Sequence, residues 1–405
     1  MRRRVTAVAV LCGLTLVLFG GSAASSTGRT KLTTINLDTL PIANGFPLDL
    51  GIQKGFFANH GIEIKKTTLQ SGNDIVLALA NGNGEIGYIG YVPAMIGRTQ
   101  GIKFTVVAAS DDEGTTVDDN WQNILVRGSS SIRAPGDLSG KTIAVNALKG
   151  VGEVMIKAAL KKQGVDPNSV KLVALPFPSM RAALNNGQID AFWAPEPFVT
   201  QGLGDGDRIV MAPGPILGRY WPVGCYGALE GWISSHPELA KAFREAMNES
   251  LTYAQQHPDE IRALLPAATR NIRLPIWSSV VDRDKLVQLA KYTKEFGVID
   301  SLPNMTKLVP SSVLGGKILQ GTVGNVFITL RLDGKAVKTL PHGKYTIVVQ
   351  DNSKTTGFRL SGPAVSKQTS VKGTGRSTWT LTLRKGKYVY TSITHPKRRV
   401  TVKVT

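Results

Sequence analysis

The sequence predicts an α/β body of two similar lobes, followed by a small all-β domain. Three observations carry this expectation. From Lys31 to about Val309, short β-branched runs alternate with stretches of helical periodicity, the pattern of helices covering a sheet. A phrase "ALANGNGEIGYIGYVP" (Ala78 to Pro93) returns about a hundred residues later as "ALNNGQIDAFWAPEP" (Ala183 to Pro197). From Leu314 onward the helical pattern stops and strict alternation begins, as in "FITLRLDG", "YTIVVQD", "TWTLTLRKG" and "RRVTVKV" between glycine-bearing turns.

The elements follow in order. "LTTINLD" (Leu32 to Asp38), "IEIKKTTL" (Ile62 to Leu69), "FTVVAAS" (Phe104 to Ser110), "NILVRG" (Asn123 to Gly128), "KTIAVNA" (Lys141 to Ala147) and "VKLVAL" (Val170 to Leu175) predict strands. "GNDIVLALAN", "GEVMIKAALKKQG" and "SMRAALNNG" place apolar residues at helical spacing with glycine just past the end. Ser71 and Ser179 are expected to cap the first and third of these helices. Each copy of the repeated phrase then reads as a helix end (Ile75 to Asn81; Met180 to Asn185), a glycine turn, a short strand and a loop opening at proline. In open α/β sheets, loops leaving the carboxyl ends of strands form the ligand crevice. Two such units predict two lobes that present the same kind of loop to one cleft.

The ends of the chain differ from this body. Met1 and Arg2 to Arg4 precede an apolar run from Val5 to Phe19, and Ser22, Ala23 and Ala24 supply small residues. That pattern predicts a secretory signal, residues 1–24, and the run is shorter than the roughly 20 residues a membrane span needs. Cys12 follows Leu11, where a lipid-attachment site would want a small residue, so no lipid anchor is expected. Cys225 is then the single cysteine of the exported chain and is expected to be a buried thiol in a core without disulfides. Residues 315–405 hold 17 Lys and Arg against 2 Asp and Glu, whereas the remaining residues hold 31 against 27. Most of the net charge of +19, +15 against +4, thus belongs to the tail, and no nucleic-acid partner is expected.

Around the repeated phrase, "PLDLGIQKGFFANHGIEIKKTTLQSGNDIVLALANGNGEIGYIG" and "GIKFTVVAAS" resemble the first lobe of solute-binding proteins of nitrate, sulfonate, taurine and thiamine-precursor ABC importers. "SSIRAPGDLSGKTIAVNALKGVGEVMIKAALKKQGVDPNSVKLVALPFPSMRAALNNGQIDAFWAPEPF" resembles the second lobe, and "SSHPELAKAFREAMNESLTYAQQHPDEIRALLP" the helical return into the first. The resemblance covers Leu32 to about Val309. It implies a two-lobed periplasmic-binding-protein-like fold of type II over residues 25–314, with lobe 1 at about 30–115 and 225–309 and lobe 2 at about 116–224. It also implies an exported protein, periplasmic or at the cell surface, that delivers a small-molecule ligand to an ABC importer permease by hinge closure. No enzyme activity and no cofactor are expected. The five histidines are scattered, no metal-ligand spacing, nucleophile elbow or phosphate loop occurs, and His236 and His257, each before proline, suit helix starts.

The loops name candidate ligand-binding residues. Asn44 and Phe46 follow the first strand; Ser71, Gly72 and Asn73 open a helix whose free N–H groups suit an acceptor or anion. Tyr91 lies near the end of the first copy of the phrase, at a place taken as equivalent to that of Trp193 in the second; Asn146 ends a second-lobe strand, and Glu196 follows Trp193. Many relatives carry Trp-Glu-Pro there, whereas this chain has Trp193, Ala194, Pro195, Glu196 and Pro197, a different spacing. Gly150 and Gly152 are read as easing a turn into a helix. A sulfonate or nitrate would want Arg, Lys or helix N-termini in the cleft, with Lys149 and Arg219 the nearest candidates; a flat ring such as a pyrimidine or flavin would want aromatic faces, and the candidate loops lean toward a ring.

Residues 315–405 resemble small cupredoxin-like domains of secreted bacterial proteins, joined through Gly315 and Gly316. Thr356 and Arg359 stand where that resemblance expects histidine, and His395 has no cysteine or methionine beside it, so a β-sandwich without metal is expected. Its basic surface implies an anionic envelope polymer or lipid as partner, with an unspecialised cationic surface as the alternative. Two further classes stay open: a wall-associated adhesion protein acting through the tail, and a biosynthetic enzyme on the same fold, for which Cys225 alone supplies no cysteine-rich motif.

Overall fold

The computed structural model describes residues 32–315, 317–332, 335–372 and 375–405; the expected secretory signal and Gly316 lie outside the described residues. Eleven strands build the α/β body: β1 Thr33–Thr39, β2 Ile62–Thr68, β3 Ile86–Gly90, β4 Phe104–Asp112, β5 Gln122–Val126, β6 Thr142–Val145, β7 Lys171–Ala174, β8 Ala191–Pro195, β9 Arg208–Met211, β10 Pro222–Leu229 and β11 Ile276–Trp277. They form two sheets, β11-β4-β10-β3-β1-β2 and β7-β6-β8-β5-β9. Strands β1, β2 and β3 are parallel to one another, as are β6, β7 and β8, while β10 and β5 run antiparallel to their neighbours. Strand β10 returns from the second sheet to lie between β3 and β4, so the chain crosses between lobes after β4 and again before β10. The crossings touch where Glu113 N donates to Trp221 O at 2.8 Å.

Local sequence accounts for the elements. Strands β3, β4, β5 and β8 are buried along their whole length and are mainly apolar, with buried polar residues at Ser110 to Asp112 of β4 and at Gln122 and Asn123 of β5. Ser71 caps the Gly72–Ala80 helix, accepting from Asp74 N at 3.2 Å. Ser179 does not cap: the Phe177–Asn185 helix starts earlier, after Pro176, because Pro178 fits its first turn. His236 and His257 stand at the starts of the Pro237–Gln256 and Pro258–Ala263 helices, each ring Nδ1 within 3.1 Å of the carbonyl four residues back. The two copies of the repeated phrase end their helices with the same bonds. Gly82 N donates to Leu79 O and Asn83 N to Ala78 O; Gly187 N donates to Leu184 O and Gln188 N to Ala183 O. Both glycines are left-handed, with φ of 76° and 70°, which only glycine adopts freely. In neither copy does a loop open at proline; the chain passes from β3 straight into the Tyr91–Thr99 helix and from β8, through Glu196 and Pro197, into the Phe198–Gly204 helix.

Residues after 315 fold into two five-stranded sheets around a core that includes Leu319, Ile347, Phe358 and Tyr388. One sheet runs through Lys317–Val323, Ile328–Leu332, Gly343–Asp351 and Gly375–Leu383; the other through Phe358–Gly362, Gly386–Ser392 and Arg399–Val404. Leu314–Gly315 pairs with Val281–Asp282 rather than standing as a free linker. Thr356 is fully buried, its hydroxyl 2.7 Å from that of Ser392, and His395 is exposed. Among the described residues no cluster of His, Cys, Asp and Glu could hold a metal ion, and no helix is long and apolar enough to cross a membrane.

Candidate functional site

A cleft opens between the carboxyl ends of the strands of the two lobes. Four helices start on it: Gly72 opens one, Gly90 and Pro93 another, Gly150 and Val151 a third, and Phe177 the fourth. The first N–H groups of a helix have no partner within it and carry a partial positive charge, so four starts around one cavity favour an acceptor-rich or anionic group. Glycine at these starts is a steric requirement as well. A Cβ on Gly72 would lie 2.9 Å from Pro93, one on Gly90 2.2 Å from Val151 in the other lobe, and one on Gly152 2.6 Å from the Trp193 ring.

The remaining walls are aromatic and neutral. Tyr88, Trp121, Phe177 and Trp193 line the cleft, with Leu40, Ile42 and Val223 behind them, and no Arg, Lys, Asp, Glu or His is among the lining side chains. Trp193 packs on Phe177 with ring centroids 6.1 Å apart, and its buried indole Nε1 has no protein partner. A buried donor left unpaired costs free energy that a ligand acceptor would recover. Other polar groups are already committed. Tyr88 donates its hydroxyl to Asp111 at 2.9 Å, Trp121 Nε1 donates to Asp112 O at 3.0 Å, and Gln122 donates its amide to Glu113. Burial pushes the Asp111 carboxyl up to about 6 and Glu113 well above the usual carboxylate range, so both favour the neutral acid under mildly acidic conditions.

The lobes meet across the mouth through a reciprocal pair of bonds. Asn73 of lobe 1 donates to Leu148 O, and Asn146 of lobe 2 donates to Gln70 O, each at 3.4 Å. The two sides of the cleft are also related in sequence. A constant shift of 105 residues takes Ile42 to Ala147, Gly72 to Phe177, Tyr88 to Trp193 and Gly90 to Pro195, and all eight line the cavity. The acids before the two strands obey the same shift. Glu85 accepts from Asn36 N, and Asp190 from Thr142 N.

Of the candidates named from sequence, the structure brings Gly72, Asn73, Asn146 and Trp193 together on the cleft. Five fall elsewhere. Asn44 is fully buried in the turn after β1, against Asp111, and Phe46 borders a separate depression with Asp49 and Lys66. Ser71 is consumed by its cap, bonded in both directions to Asp74. Tyr91, expected to match Trp193, is buried in the core below; the residue that matches Trp193 is Tyr88, because both are third in their strands. Glu196 is fully buried and ties the lobes together: its carboxylate accepts from Arg273 N at 3.1 Å and lies 3.6 Å from the Arg273 guanidinium, while its carbonyl accepts from Ala43 N. Lys149 and Arg219 are exposed and outside the lining. Gly150, discounted from sequence as a turn residue, lines the cavity, as do Tyr88, Trp121, Gln122 and Phe177, which sequence reasoning missed. The 105-residue repeat itself was the signal that could have found Tyr88 and Phe177. Cys225 is the buried thiol expected, its pKa raised by burial.

Comparison with known proteins agrees with this architecture. The chain is 29% identical over 212 residues to the taurine-binding periplasmic protein of Escherichia coli, a match that covers 50% of this chain and 61% of that one. The periplasmic aliphatic sulphonate binding protein SsuA of Escherichia coli superposes with a TM-score of 0.57 at 16% identity, over 69% of this chain and 98% of that one. A ligand-binding component of an ABC-type import system from Staphylococcus aureus does so with a TM-score of 0.60 at 14% identity, over 69% of this chain and 97% of that one. The body therefore has the periplasmic-binding-protein fold, and the chain spans about three-fifths of the length of the taurine-binding relative that it matches. Residues 43–261, more than half of the sequence, match the family described as NMT1/THI5 like, and the chain belongs to that family.

Proposed function

We propose that this protein is an extracytoplasmic solute-binding protein that captures one organic molecule in the interlobe cleft and presents it to an ABC importer permease. The observation that carries this reading is the cleft itself: helix starts from both lobes converge on a cavity with aromatic walls and no Arg, Lys, Asp, Glu or His in its lining. Such a site fits a ligand with a flat or apolar body and one acceptor-rich end, as an organosulfonate or an oxygenated heterocycle has. It suits nitrate or bicarbonate poorly, since a small hydrated anion gains nothing from Trp121, Phe177 and Trp193. The relatives' taurine and sulphonate ligands agree with the first class. Capture rather than turnover is favoured because the lining offers no carboxylate, imidazole, amine or thiol, the Tyr88 hydroxyl is committed to Asp111, and Cys225 is buried.

The basic residues after 315 support a second contact, with an anionic component of the cell envelope. Thermal unfolding against alkyl and aryl sulfonates, pyrimidines, flavins, nitrate and bicarbonate tests the main reading. An organic ligand present at about 100 times its Kd adds roughly 2.7 kcal/mol of stability and a clear rise in Tm. A rise with nitrate or bicarbonate and with none of the organic compounds would overturn the assignment of ligand class.

A further inference from the structure

One end of the C-terminal sandwich gathers three loops around Asn325. Its side-chain oxygen accepts from the Ser353 hydroxyl at 2.6 Å, Arg398 donates to its carbonyl, and Thr394 donates to Thr355 O at 3.2 Å. The residues at 324–327, 352–356 and 393–398 are thereby held as one surface. At its tip Val326 is 77% exposed and Phe327 46% exposed, two of the few large apolar side chains that the described residues leave in water. The Phe327 ring lies over Gly324, where a Cβ would come within 2.6 Å of it, so the tip is a shaped projection. Around it stand Lys354 and Lys397, both exposed, and the half-buried Arg398.

This end of the domain presents no carboxylate of its own among the described residues. Asp351 is buried and bonded to Thr369 and Ser353, and Asp333 lies outside the described residues. Asp118 and Asp119 of the body share a groove with Gln350; Asp118 is exposed, and Asp119 is bonded to the Thr115 and Thr116 amides. An apolar tip rimmed by cations on a preformed surface matches a bilayer with anionic headgroups: apolar side chains enter the headgroup boundary while Lys and Arg meet lipid phosphates. A hydrated soluble polyanion would engage the cations alone and leave Val326 and Phe327 without a role.

We propose that this end docks the protein on an anionic lipid surface, with Val326 and Phe327 inserted and Lys354, Lys397 and Arg398 on the phosphates. The proposal rests on the reading that the basic domain meets an anionic envelope component. It is tested by co-sedimenting the purified exported chain with phosphatidylcholine vesicles that do or do not contain phosphatidylglycerol, with inorganic polyphosphate as a soluble polyanion. Binding to the anionic vesicles alone is expected, weakened about tenfold by Val326→Ser with Phe327→Ser while affinity for polyphosphate stays unchanged. Lys354→Gln with Lys397→Gln should weaken vesicle binding by about as much, as should raised salt. Phe327→Trp should shift its emission to the blue on anionic vesicles, a readout that needs no loss of binding. Vesicle binding untouched by the tip variants, or no shift at position 327, would overturn the insertion. Polyphosphate binding without vesicle binding would overturn the lipid assignment and leave the anionic-partner reading standing; binding to neither would overturn both.

Discussion

The two copies of the repeated phrase end their helices with equivalent bonds and begin their strands under equivalently placed acids, Glu85 and Asp190, yet they present opposite chemistry to the cleft. In lobe 1 the helix start is Gly72, which offers bare backbone; at the matching place lobe 2 offers the ring of Phe177. The matched strand residues are Tyr88, whose hydroxyl is occupied by Asp111, and Trp193, whose buried indole N–H has no protein partner. The repeated framework fixes where side chains arrive, and the few positions at which the copies diverge decide what they recognise. One lobe supplies close approach to N–H groups, the other an aromatic face and a donor.

The largest break in this comparison is Gly72→Val. Its added carbons meet Pro93 and fill the space over the helix start, so ligand affinity should fall by about 100-fold or more, read by calorimetric titration. Gly152→Ala should act from the other lobe, since its Cβ has no room beside Trp193 and must displace the ring. An affinity loss of about tenfold together with a loss of stability of roughly 1–3 kcal/mol from overpacking, read as a lower Tm, is expected, and an unchanged affinity would remove the Trp193 ring from recognition.

Trp193→Phe sharpens the comparison. It keeps an aromatic ring and removes the unpaired donor, so affinity should drop by about 5- to 30-fold, a hydrogen bond's worth, without unfolding. Trp193→Ala is the poorer probe, because the residue is only 4% exposed and packs in the core.

Asp111 gives a test in pH. Burial raises its folded pKa to about 6, above the ordinary carboxylate value of 3.8, so the folded state holds the proton more tightly than the unfolded chain. Its contribution to stability is therefore greatest below about pH 4 and is lost as pH rises toward about 6. Tm measured across that interval should fall more steeply in the wild type than in Asp111→Asn; equal slopes would contradict the assignment. The smallest effect is expected from Lys149→Ala and Arg219→Ala, which should each leave affinity within about twofold because neither side chain lines the cleft.

Much of this arrangement was legible before any coordinates. Alternation and helical spacing located strands such as Phe104 to Ser110, which the structure extends only to Asp112, and the change of pattern at Leu314 located the all-β domain. Glycine chemistry located the helix ends at Gly82 and Gly187. The site was half legible. Gly72, Asn73, Asn146 and Trp193 could be named because strand ends and helix starts are marked locally. Asn44, Tyr91 and Glu196 lie off the cleft lining because burial is not local: they pack against Asp111, in the core and against Arg273 respectively. Trp121 was missed because it lies in the crossing between lobes, whose path depends on both sheets at once. Tyr88 was missed through a three-residue error in aligning the copies, which the unbroken 105-residue shift corrects.

The central claim is that both lobes close on one organic molecule between the Gly72 helix start and the Trp193 ring. Native mass spectrometry of the gently purified protein, followed by denaturation to identify whatever it carries, tests this most directly. The account predicts a single organic ligand per chain with an acceptor-rich end, absent from Gly72→Val prepared alongside. A ligand retained undiminished by Gly72→Val, or a protein that carries nothing and takes up no sulfonate or heterocycle on titration, would contradict it.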